Sequence, residues 1–324
     1  MAWFDLPLAE LRAYAPDLAT PPDLRDFWTR TLAETRQHDL AATFGPYDCP
    51  LRTVDVLDVT FAGFAGNSVR GWLLVPADAP GPLPCVVEFL GYGTGRGAAY
   101  ERLLYSAAGY AHLVMDTRGQ GSMASPGDTP DPDPDPGAGQ YPGFLTRGVL
   151  DPQRYYYRRL ITDAVRAVEA ARAHPAVDAG RVVVRGHSQG GALALAMAAL
   201  VPDLAGVVAH APFLCHVDRA VTLTDAQPYA ELREFLRHRH DAAEQALRTL
   251  SYVDGAVLAP WATAPLHASV ALMDQVCPPS TVFAAYNRYA GTDKEIAVWP
   301  YDGHESGAAH GLAGELAFLA RVTA

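Results

Sequence analysis

Residues 181–191 read RVVVRGHSQGG, and this segment is the most informative about fold class in the chain. RVVV predicts a strand, the following run QGGALALAMAAL predicts a helix, and a Gly-x-Ser-x-Gly sequence stands at their junction. A sharp strand-to-helix corner strains its central residue and needs small neighbours, which Gly186 and Gly190 supply. Ser188 should then project its hydroxyl at the C-terminal end of a sheet, and the N–H of Gln189 should face a developing oxyanion. The alternative is a glycine-rich turn without chemical meaning.

Short apolar runs bounded by turn signals recur from residue 84 onward. They do not alternate polar with apolar residues, as expected of a sheet covered on both faces. Strands that alternate with helices predict a mostly parallel central sheet with right-handed crossovers and helices on both faces, an α/β fold. The predicted strands are 85–91, 111–116, 181–188, 204–211, 266–274 and 295–300, and the predicted helices are 98–108, 155–173, 189–200 and 280–290.

The chain before residue 84 has a different pattern of apolar and polar residues. Residues 1–50 predict an N-terminal helical arm, and TVDVLDVTF with NSVRGWLLV predicts an antiparallel hairpin. Two insertions interrupt the later alternation: a proline-rich, acidic loop over 122–150 and a helical, cap-like segment over 213–261. We therefore expect one elaborated domain over 1–324 rather than two domains.

The charge balance excludes some classes of partner. The 324 residues include 25 Lys and Arg against 36 Asp and Glu, a net charge of −11. Phosphates would be repelled, which argues against a nucleic acid or an anionic membrane. No basic segment precedes an apolar run near the N-terminus, and no apolar run reaches the roughly 18 residues of a membrane span. The four cysteines lack metal-ligand spacing and are expected to be free thiols, so these features predict a cytoplasmic protein.

A serine hydroxyl becomes a good nucleophile only when a base takes its proton, so a base and an orienting acid should follow the serine in the chain. Among seven downstream histidines, His304 is best placed, in YDGHE directly after the strand EIAVWP, and His310 is the second choice. Asp274 ends the strand LHASVALMD and would accept the Nδ1 hydrogen of His304. Asp254 and Asp293 are the competing acids, and neither closes a strand cleanly.

The second oxyanion donor is expected in the loop GYGTGRG at 91–97, which follows the strand CVVEFL. We expect the backbone N–H groups of Tyr92 and Gln189 to form the oxyanion hole together. The glycines could also be read as a phosphate-binding loop, but the Walker lysine spacing and a coupled acidic residue for a ribose are missing. Arg118, in DTRGQG after the next strand, is expected to tie neighbouring loops together.

Motifs along nearly the whole chain occur in a characteristic order: FDLPLAELRAY, GYGTGRG, DTRGQG, FLTRGVLDPQRYYYRR, RGHSQGG, PFLC, TLSYVD, LMDQVCPPSTVFAAYN and GHE. Together they resemble the acetyl xylan esterase and cephalosporin C deacetylase family, carbohydrate esterase family seven of the α/β-hydrolase superfamily. The resemblance implies the α/β-hydrolase fold, a catalytic triad of Ser188, Asp274 and His304, and an oxyanion hole formed by Tyr92 and Gln189.

The resemblance also implies a substrate class and an assembly. It places Pro228 and Val276 in a small acyl pocket, and it implies that acetyl groups are removed through an acetyl-enzyme from small substrates such as xylo-oligosaccharides and cephalosporin C. It implies an intracellular protein without a cofactor, and no metal site is expected. The assembly it implies is a doughnut-like homo-oligomer, a hexamer, whose active sites open to an internal cavity.

The sequence departs from the family pattern at three points: DPDPDP after DTRGQG, Leu90 before GYG, and His216 after PFLC, where an acid is more usual. These departures concern loop contacts and substrate range. A perhydrolase or a thioesterase on the same triad is an alternative function, and a non-catalytic hydrolase-fold binding protein is another. The intact Ser, His and Asp weigh against the binding protein, and a dehalogenase is excluded because the elbow carries Ser instead of Asp.

Overall fold

The computed structural model describes residues 3–132 and 141–324, and all strands in this part of the chain belong to one sheet. The order across the sheet is β1-β2-β3-β5-β4-β6-β7-β8-β9. All pairings from β1 through β3 to β5 are antiparallel, and those from β5 to β9 are parallel, which confirms the predicted hairpin and mostly parallel sheet. The strands are β1 (Thr43–Pro46), β2 (Val54–Ala62), β3 (Ser68–Pro76), β4 (Leu83–Phe89), β5 (Ala111–Met115), β6 (Val177–His187), β7 (Gly206–His210), β8 (Leu266–Ala271) and β9 (Lys294–Trp299).

Helices follow the strands as the alternation predicts, and four of them fall within the predicted insertion over 213–261, between β7 and β8. The helices are α1 (Leu8–Leu11), α2 (Leu24–Thr35), α3 (Leu104–Ala107), α4 (Tyr156–Ala173), α5 (Gln189–Leu200), α6 (Val217–Leu223), α7 (Tyr229–His238), α8 (Ala243–Ser251), α9 (Gly255–Leu258), α10 (Pro279–Arg288) and α11 (Ala308–Val322). Among the described residues, no helix combines the length and apolar character needed to cross a membrane.

Both faces of the sheet are covered, as the uninterrupted apolar strands predict. In β4, Cys85 and Val87 join the large core that includes buried residues of α4 and α5. Val86, between them, points to the opposite face and joins a smaller core with Phe318 and Leu319 of α11. Every residue of β5, β7 and β8 is buried. The central strands therefore lie between two layers of helices, and their C-terminal ends carry the candidate site.

The predicted helix over 98–108 is largely wrong. The structure has only a single 3-10 turn at Ala99–Glu101 and the short helix α3. Arg102, between them, has φ −115° and ψ 38°, which are not helical values. Its carbonyl oxygen lies 3.1 Å from Nδ1 of His112 in β5 instead of serving a continuous helix. A contact with a neighbouring strand thus overrides the local preference for helix.

The N-terminal arm is only partly helical. Three prolines between α1 and α2 prevent a continuous helix, and the edge strand β1, which the pattern did not predict, lies within the first fifty residues. The arm is held against α10: Asn287 Nδ2 donates to the carbonyl oxygens of Leu11 and Tyr14, both at 2.9 Å. Asp5 accepts a hydrogen bond from the N–H of Ser280 at 2.7 Å. These polar contacts fix the arm beside the helix that follows β8.

The segment over 122–150 contains neither helix nor strand in its described parts, in agreement with the prediction of a loop. Most of the DPDPDP stretch lies in 133–140, outside the described residues. Two acids of the preceding part are paired with arginines. Asp131 is buried and accepts a hydrogen bond from Arg159 at 2.8 Å, and Asp128 accepts one from Arg96 at 2.8 Å. The Asp131 carboxylate is therefore paired in the interior and adds no free charge to the surface, whereas the paired Asp128 side chain is 59% exposed.

Candidate active site

The corner between β6 and α5 has the strained geometry that its sequence predicts. Ser188 has φ 58° and ψ −118°, a conformation that residues other than glycine rarely adopt. A Cβ on Gly186 would lie 2.2 Å from the carbonyl carbon of Gly190. A Cβ on Gly190 would lie 2.1 Å from the carbonyl oxygen of Phe89 in β4. Only glycine at both positions lets the corner fit against the neighbouring strand.

Backbone hydrogen bonds hold this corner in place. The N–H of Ser188 donates to the carbonyl oxygen of His210 at the end of β7, at 2.9 Å. Its own carbonyl oxygen accepts from the N–H groups of Ala192 and Phe213, both at 3.0 Å. The Ser188 side chain is mostly buried and borders an open cavity. Hydrogen bonds to the end of β7, to α5 and to the segment after β7 therefore hold the strained corner in place.

Asp274 and His304 meet although 30 residues separate them. Nδ1 of His304 lies 2.9 Å from Oδ2 of Asp274. The other carboxylate oxygen accepts from the N–H groups of Val276 at 2.8 Å and Cys277 at 3.0 Å. An ionised carboxylate only accepts hydrogen bonds, so the proton of a neutral His304 is on Nδ1. This tautomer leaves Nε2 free to accept a proton.

The loop that carries His304 is tied to the elbow. Nε2 of His187, the residue before the serine, donates to the carbonyl oxygen of His304 at 2.6 Å, and the two rings lie 4.6 Å apart between centroids. Burial, together with repulsion from the His304 ring when it is charged, lowers the pKa of His187 to about 4. His187 is therefore neutral near pH 7 and serves as a hydrogen-bond donor beside the site.

Side chains on β7 and β8 support the same loop from the other face. Nδ1 of His210 lies 2.7 Å from the Ser269 hydroxyl, which lies 2.9 Å from the Ser306 hydroxyl. Nε2 of His210 lies 2.9 Å from the buried carboxylate of Glu315 in α11. Because that carboxylate can only accept, Nε2 carries the proton and Nδ1 accepts from Ser269. His210 and its neighbours are thus structural, as its position within a strand predicts.

The competing residues lie outside this arrangement. His310 is exposed on α11, and Asp293 forms a surface ion pair with Arg321 at 2.7 Å. Asp254 caps α9 and also accepts from the N–H of His216 at 2.9 Å. Its carboxylate is enclosed, and burial raises the pKa of Asp254 to about 6. The structure therefore gives each of them a structural or surface role.

Three potential metal ligands, Asp274, Cys277 and His304, have donor atoms within 4.8 Å of one another. Both carboxylate oxygens of Asp274 already accept hydrogen bonds from the protein. Burial and the nearby Asp274 raise the pKa of Cys277 well above its ordinary value, so its sulfur stays a thiol, which is a poor ligand. The chemistry of this donor set favours proton transfer over metal binding.

The predicted oxyanion donors lie on linked segments. Gln189 is the first residue of α5, so its N–H has no acceptor within the helix. Its side chain donates to the carbonyl oxygen of Leu90 at 3.2 Å and accepts from Gln120 at 2.9 Å. Gln120 in turn accepts from the N–H of Gly93 at 2.6 Å. Leu90, two residues before Tyr92, and Gly93, the residue after it, are therefore bound, directly or through Gln120, to the side chain of Gln189.

Arg118, expected to tie loops together, is fully buried. Nε and an NH2 group donate to the two carboxylate oxygens of Asp163 in α4 at 2.6 and 2.8 Å, and another NH2 group lies 3.3 Å from Asp131. Burial opposes its charge, but the Asp163 carboxylate raises the pKa of Arg118 above its ordinary value. This ion pair joins the loop after β5 to α4 and to the loop over 122–150.

A cavity of about 660 Å³ opens over the serine. Of the sequence-predicted residues, five line it: Tyr92, Ser188, Pro228, Val276 and His304. Asp274 and Gln189 are fully buried behind the wall. Its volume is typical of sites that hold small organic molecules. The other lining residues are Gly91, Met123, Tyr141, Pro142, Gly143, His187, Gln227 and Glu231.

Comparison with known proteins identifies the family of this chain. The family model described as acetyl xylan esterase (AXE1) matches residues 1–322. The chain belongs to the acetyl xylan esterase family. The solved structure of an acetyl xylan esterase from Paenibacillus sp. R4 is 37% identical with a TM-score of 0.90, covering 98% of this chain and 99% of that chain. Acetyl Xylan Esterase 1 from Thermoanaerobacterium sp. JW/SL YS485 is 32% identical with a TM-score of 0.89, covering 99% of this chain and 100% of that chain.

A curated relative is the acetyl esterase Axe7A of Xylanibacter ruminicola, which is 27% identical over 298 residues, 89% of this chain. The chain spans 64% of that relative's length. The family resemblance and the α/β-hydrolase fold inferred from the motifs are thus confirmed. Membership of the acetyl xylan esterase family supports acetyl ester hydrolysis.

Several residues that line this cavity were not predicted from the sequence. Met123 and Tyr141 line it with exposed side chains, and both come from the segment that was predicted only as an acidic loop. Glu231 reaches it from α7, inside a run of charged residues typical of a solvated helix face. Gln120, in DTRGQG, accepts a hydrogen bond from the loop at 91–97. No motif signal marks Glu231, and only the placement of α7 over the sheet end reveals it.

Proposed function

We propose that this member of the acetyl xylan esterase family is a serine carboxylic ester hydrolase that removes acetyl groups from small acetylated substrates. One observation carries the proposal. Ser188, at a strained strand-to-helix corner, borders a 660 Å³ cavity that His304 also lines, and His304 is oriented by a buried Asp274. A nucleophile, a base in the correct tautomer and an orienting acid are the parts that acyl transfer requires.

In the acylation step His304 takes the Ser188 proton on Nε2, and the serine oxygen attacks the acetyl carbonyl carbon. The carbonyl oxygen becomes an oxyanion that accepts hydrogen bonds from the N–H groups of Tyr92 and Gln189. Each such donor is worth about 3 kcal/mol of barrier. The bond to the alkoxide then breaks, His304 gives its proton to the leaving oxygen, and an acetyl-enzyme remains.

In the deacylation step water takes the place of the alcohol. His304 removes a proton from the water, whose oxygen attacks the acetyl carbon, and the same oxyanion donors act again. The bond to Ser188 breaks, the serine oxygen regains the proton from His304, and acetate leaves. Asp274 keeps its charge throughout and stabilises the imidazolium that forms twice in each cycle.

The substrates we propose are acetylated xylo-oligosaccharides and cephalosporin C, whose acetyl groups would lie against Pro228 and Val276. Both side chains line the cavity beside the serine. Rates on p-nitrophenyl esters should fall sharply from acetyl to octanoyl, because a longer chain would collide with this wall. Equal rates on both esters would contradict the small acyl pocket. A panel of acetylated oligosaccharides measured against cephalosporin C would identify the preferred leaving group.

The variant Ser188→Ala tests the catalytic assignment. It should lose hydrolysis of p-nitrophenyl acetate while its thermal unfolding stays close to that of the unmodified protein. Ser68→Ala, at the exposed start of β3, is the matched control and should keep full activity. Activity that survives in Ser188→Ala would disprove the assignment. A Ser188 that neither reacts with a fluorophosphonate nor supports turnover of acetyl esters would favour a non-catalytic binding protein instead.

The hexamer and the cytoplasmic location implied by the sequence stay predictions. Size-exclusion chromatography with light scattering would measure the assembly directly. A mass six times that of the 34.7 kDa chain is the expected result, and a monomer would contradict it.

A further inference from the structure

Glu231 stands out among the cavity residues because its carboxylate is used by the protein itself. It extends from α7, in the inserted helical segment, and accepts a hydrogen bond of 2.5 Å from the hydroxyl of Tyr92. Tyr92 is also the residue whose backbone N–H is assigned to the oxyanion hole. The cap-like segment and the oxyanion loop therefore meet at one side-chain pair that lines the cavity.

A third segment converges on the same pair. The N–H groups of Gly143 and Phe144 donate to the Tyr92 hydroxyl at 3.1 and 2.9 Å. The N–H of Gly143 also lies 3.1 Å from Oε1 of Glu231, and that of Leu145 lies 3.2 Å from Oε2. Three consecutive backbone donors thus point at one carboxylate and the phenol oxygen bound to it. Such a cluster of N–H groups favours an anion.

We propose that Glu231 is a positioning residue for the oxyanion hole. Its carboxylate binds the Tyr92 hydroxyl and the 143–145 loop at once and thereby holds the Tyr92 backbone N–H in its position above the serine. The inference rests on the proposed esterase function and adds to it a role for the inserted segment. The segment supplies a hydrogen-bond acceptor that acts through Tyr92, in addition to the lining residue Pro228.

The geometry explains why the Tyr92 side chain matters for its backbone. Gln189 holds Leu90 and Gln120 holds Gly93, but neither contact involves the Gly91–Tyr92 peptide that carries the Tyr92 N–H. The Tyr92 ring packs against Phe144, with centroids 5.4 Å apart, and its hydroxyl ends in the Glu231 cluster. Anchoring both ends of the ring restricts the backbone dihedral angles that aim the N–H.

The carboxylate of Glu231 suits this place through the hydrogen bonds it accepts, which partly offset the burial that raises the pKa of Glu231 above its ordinary value. A carboxylate offers two acceptor oxygens, whereas the amide of glutamine offers one oxygen and a pair of donors. In Glu231→Gln the NH2 group must face either the N–H of Leu145 or the donors Tyr92 and Gly143. The first orientation leaves the N–H of Leu145 without its acceptor, and the second sets the NH2 group against the hydroxyl proton of Tyr92 and the N–H of Gly143. The substitution therefore preserves the size of the side chain and disrupts the hydrogen bonds that position Tyr92.

The experiment compares Glu231→Gln with Glu234→Gln, an exposed residue on the same helix, in steady-state hydrolysis of p-nitrophenyl acetate. Glu231→Gln should lower kcat roughly 10–100-fold with KM changed less than about twofold, because an oxyanion donor acts mainly in the transition state. Glu234→Gln should match the unmodified protein. Tyr92→Phe, which removes only the hydroxyl, should show the same loss in kcat and gives a second test if Glu231→Gln does not fold.

A double-mutant cycle separates positioning from general destabilisation. If Glu231 acts through Tyr92, Glu231→Gln should cost little further activity once Tyr92→Phe is present, so the two effects should not add. Fully additive effects, an unchanged kcat in Glu231→Gln, or a rise in KM alone would overturn the inference. A lack of acetyl ester hydrolysis by the unmodified protein would instead refute the proposed function, so the two failures are distinguishable.

Discussion

Gly190→Ala is a demanding test of how the nucleophile corner is built. The added Cβ would lie 2.1 Å from the carbonyl oxygen of Phe89 and 2.7 Å from its carbonyl carbon. Carbon and oxygen atoms that are not bonded stay about 3.3 Å or more apart even in close C–H···O contacts. The start of α5 and the end of β4 must therefore separate by roughly 1.2 Å along that direction. Neither side of the contact is a flexible side chain that could move away.

The cost can be estimated for stability and for activity. Overpacking of this kind costs about 1–3 kcal/mol. Unfolding entropies of about 2.1 cal/mol/K per residue, over a chain of this length, convert that cost into a decrease in Tm of roughly 1.5–4.5 °C. Phe89 is followed within three residues by Tyr92, so the same displacement should move an oxyanion donor. A misplacement of about 1 Å can cost about 100-fold in rate.

Differential scanning calorimetry and p-nitrophenyl acetate kinetics on the same preparation measure both effects. Gly81→Ala is the matched control, because nothing lies within 4 Å of the Cβ it adds. It should keep its activity and change the free energy of unfolding by less than about 0.5 kcal/mol. If Gly190→Ala also retained the Tm and kcat of the unmodified protein, the close approach of helix and strand would not constrain the site, and the reasoning would fail.

Two more outcomes depend on buried charges. Arg118→Met should lower the free energy of unfolding by about 3–5 kcal/mol, because it leaves the buried Asp163 carboxylate without its partner. Arg70→Met, at a more exposed ion pair, is the control and should lower it by less than about 1 kcal/mol. Urea denaturation measures both free energies. His187 has a folded-state pKa of about 4 against an ordinary 6.5, so its contribution to stability, up to about 3 kcal/mol, is present above pH 6.5 and is lost as the pH falls towards 4. The Tm of His187→Gln should fall less over this range than that of the unmodified protein, and identical pH profiles would contradict the shift.

The strand-to-helix corner at Ser188 and the contact between Asp274 and His304 could be predicted because local sequence constrains them. Gly186 and Gly190 are required by contacts under 2.5 Å that any Cβ would make. Asp274 and His304 follow strands whose apolar runs are easy to recognise, and parallel strands bring their C-terminal ends to one edge of the sheet. The 2.9 Å contact between these two side chains is the geometry that such placement predicts.

Other features could not be predicted because they depend on contacts between distant segments. The helix over 98–108 was wrong since Arg102 turns its carbonyl towards His112. The acids of the 122–150 loop look like free surface charge in the sequence, yet Asp131 is buried against arginines that lie up to 28 residues away. Glu231 belongs to a helix whose charge pattern indicates only solvent. The periodicity of a helix does not indicate which of its carboxylates will accept a hydrogen bond from a distant segment.

These long-range contacts share a pattern that bears on function. Each segment that supplies a site residue is bound to another such segment by a polar side chain: His187 holds the His304 loop, Gln189 holds the loop before Tyr92, and Glu231 holds Tyr92 itself. The segments therefore cannot move independently without breaking a hydrogen bond that is at least partly buried, and a fully buried group left without its partner costs about 1–3 kcal/mol. Preorganisation of this kind lets backbone dipoles stabilise an oxyanion without reorienting during the reaction. Substitutions at the linking side chains should consequently lower kcat more than they raise KM.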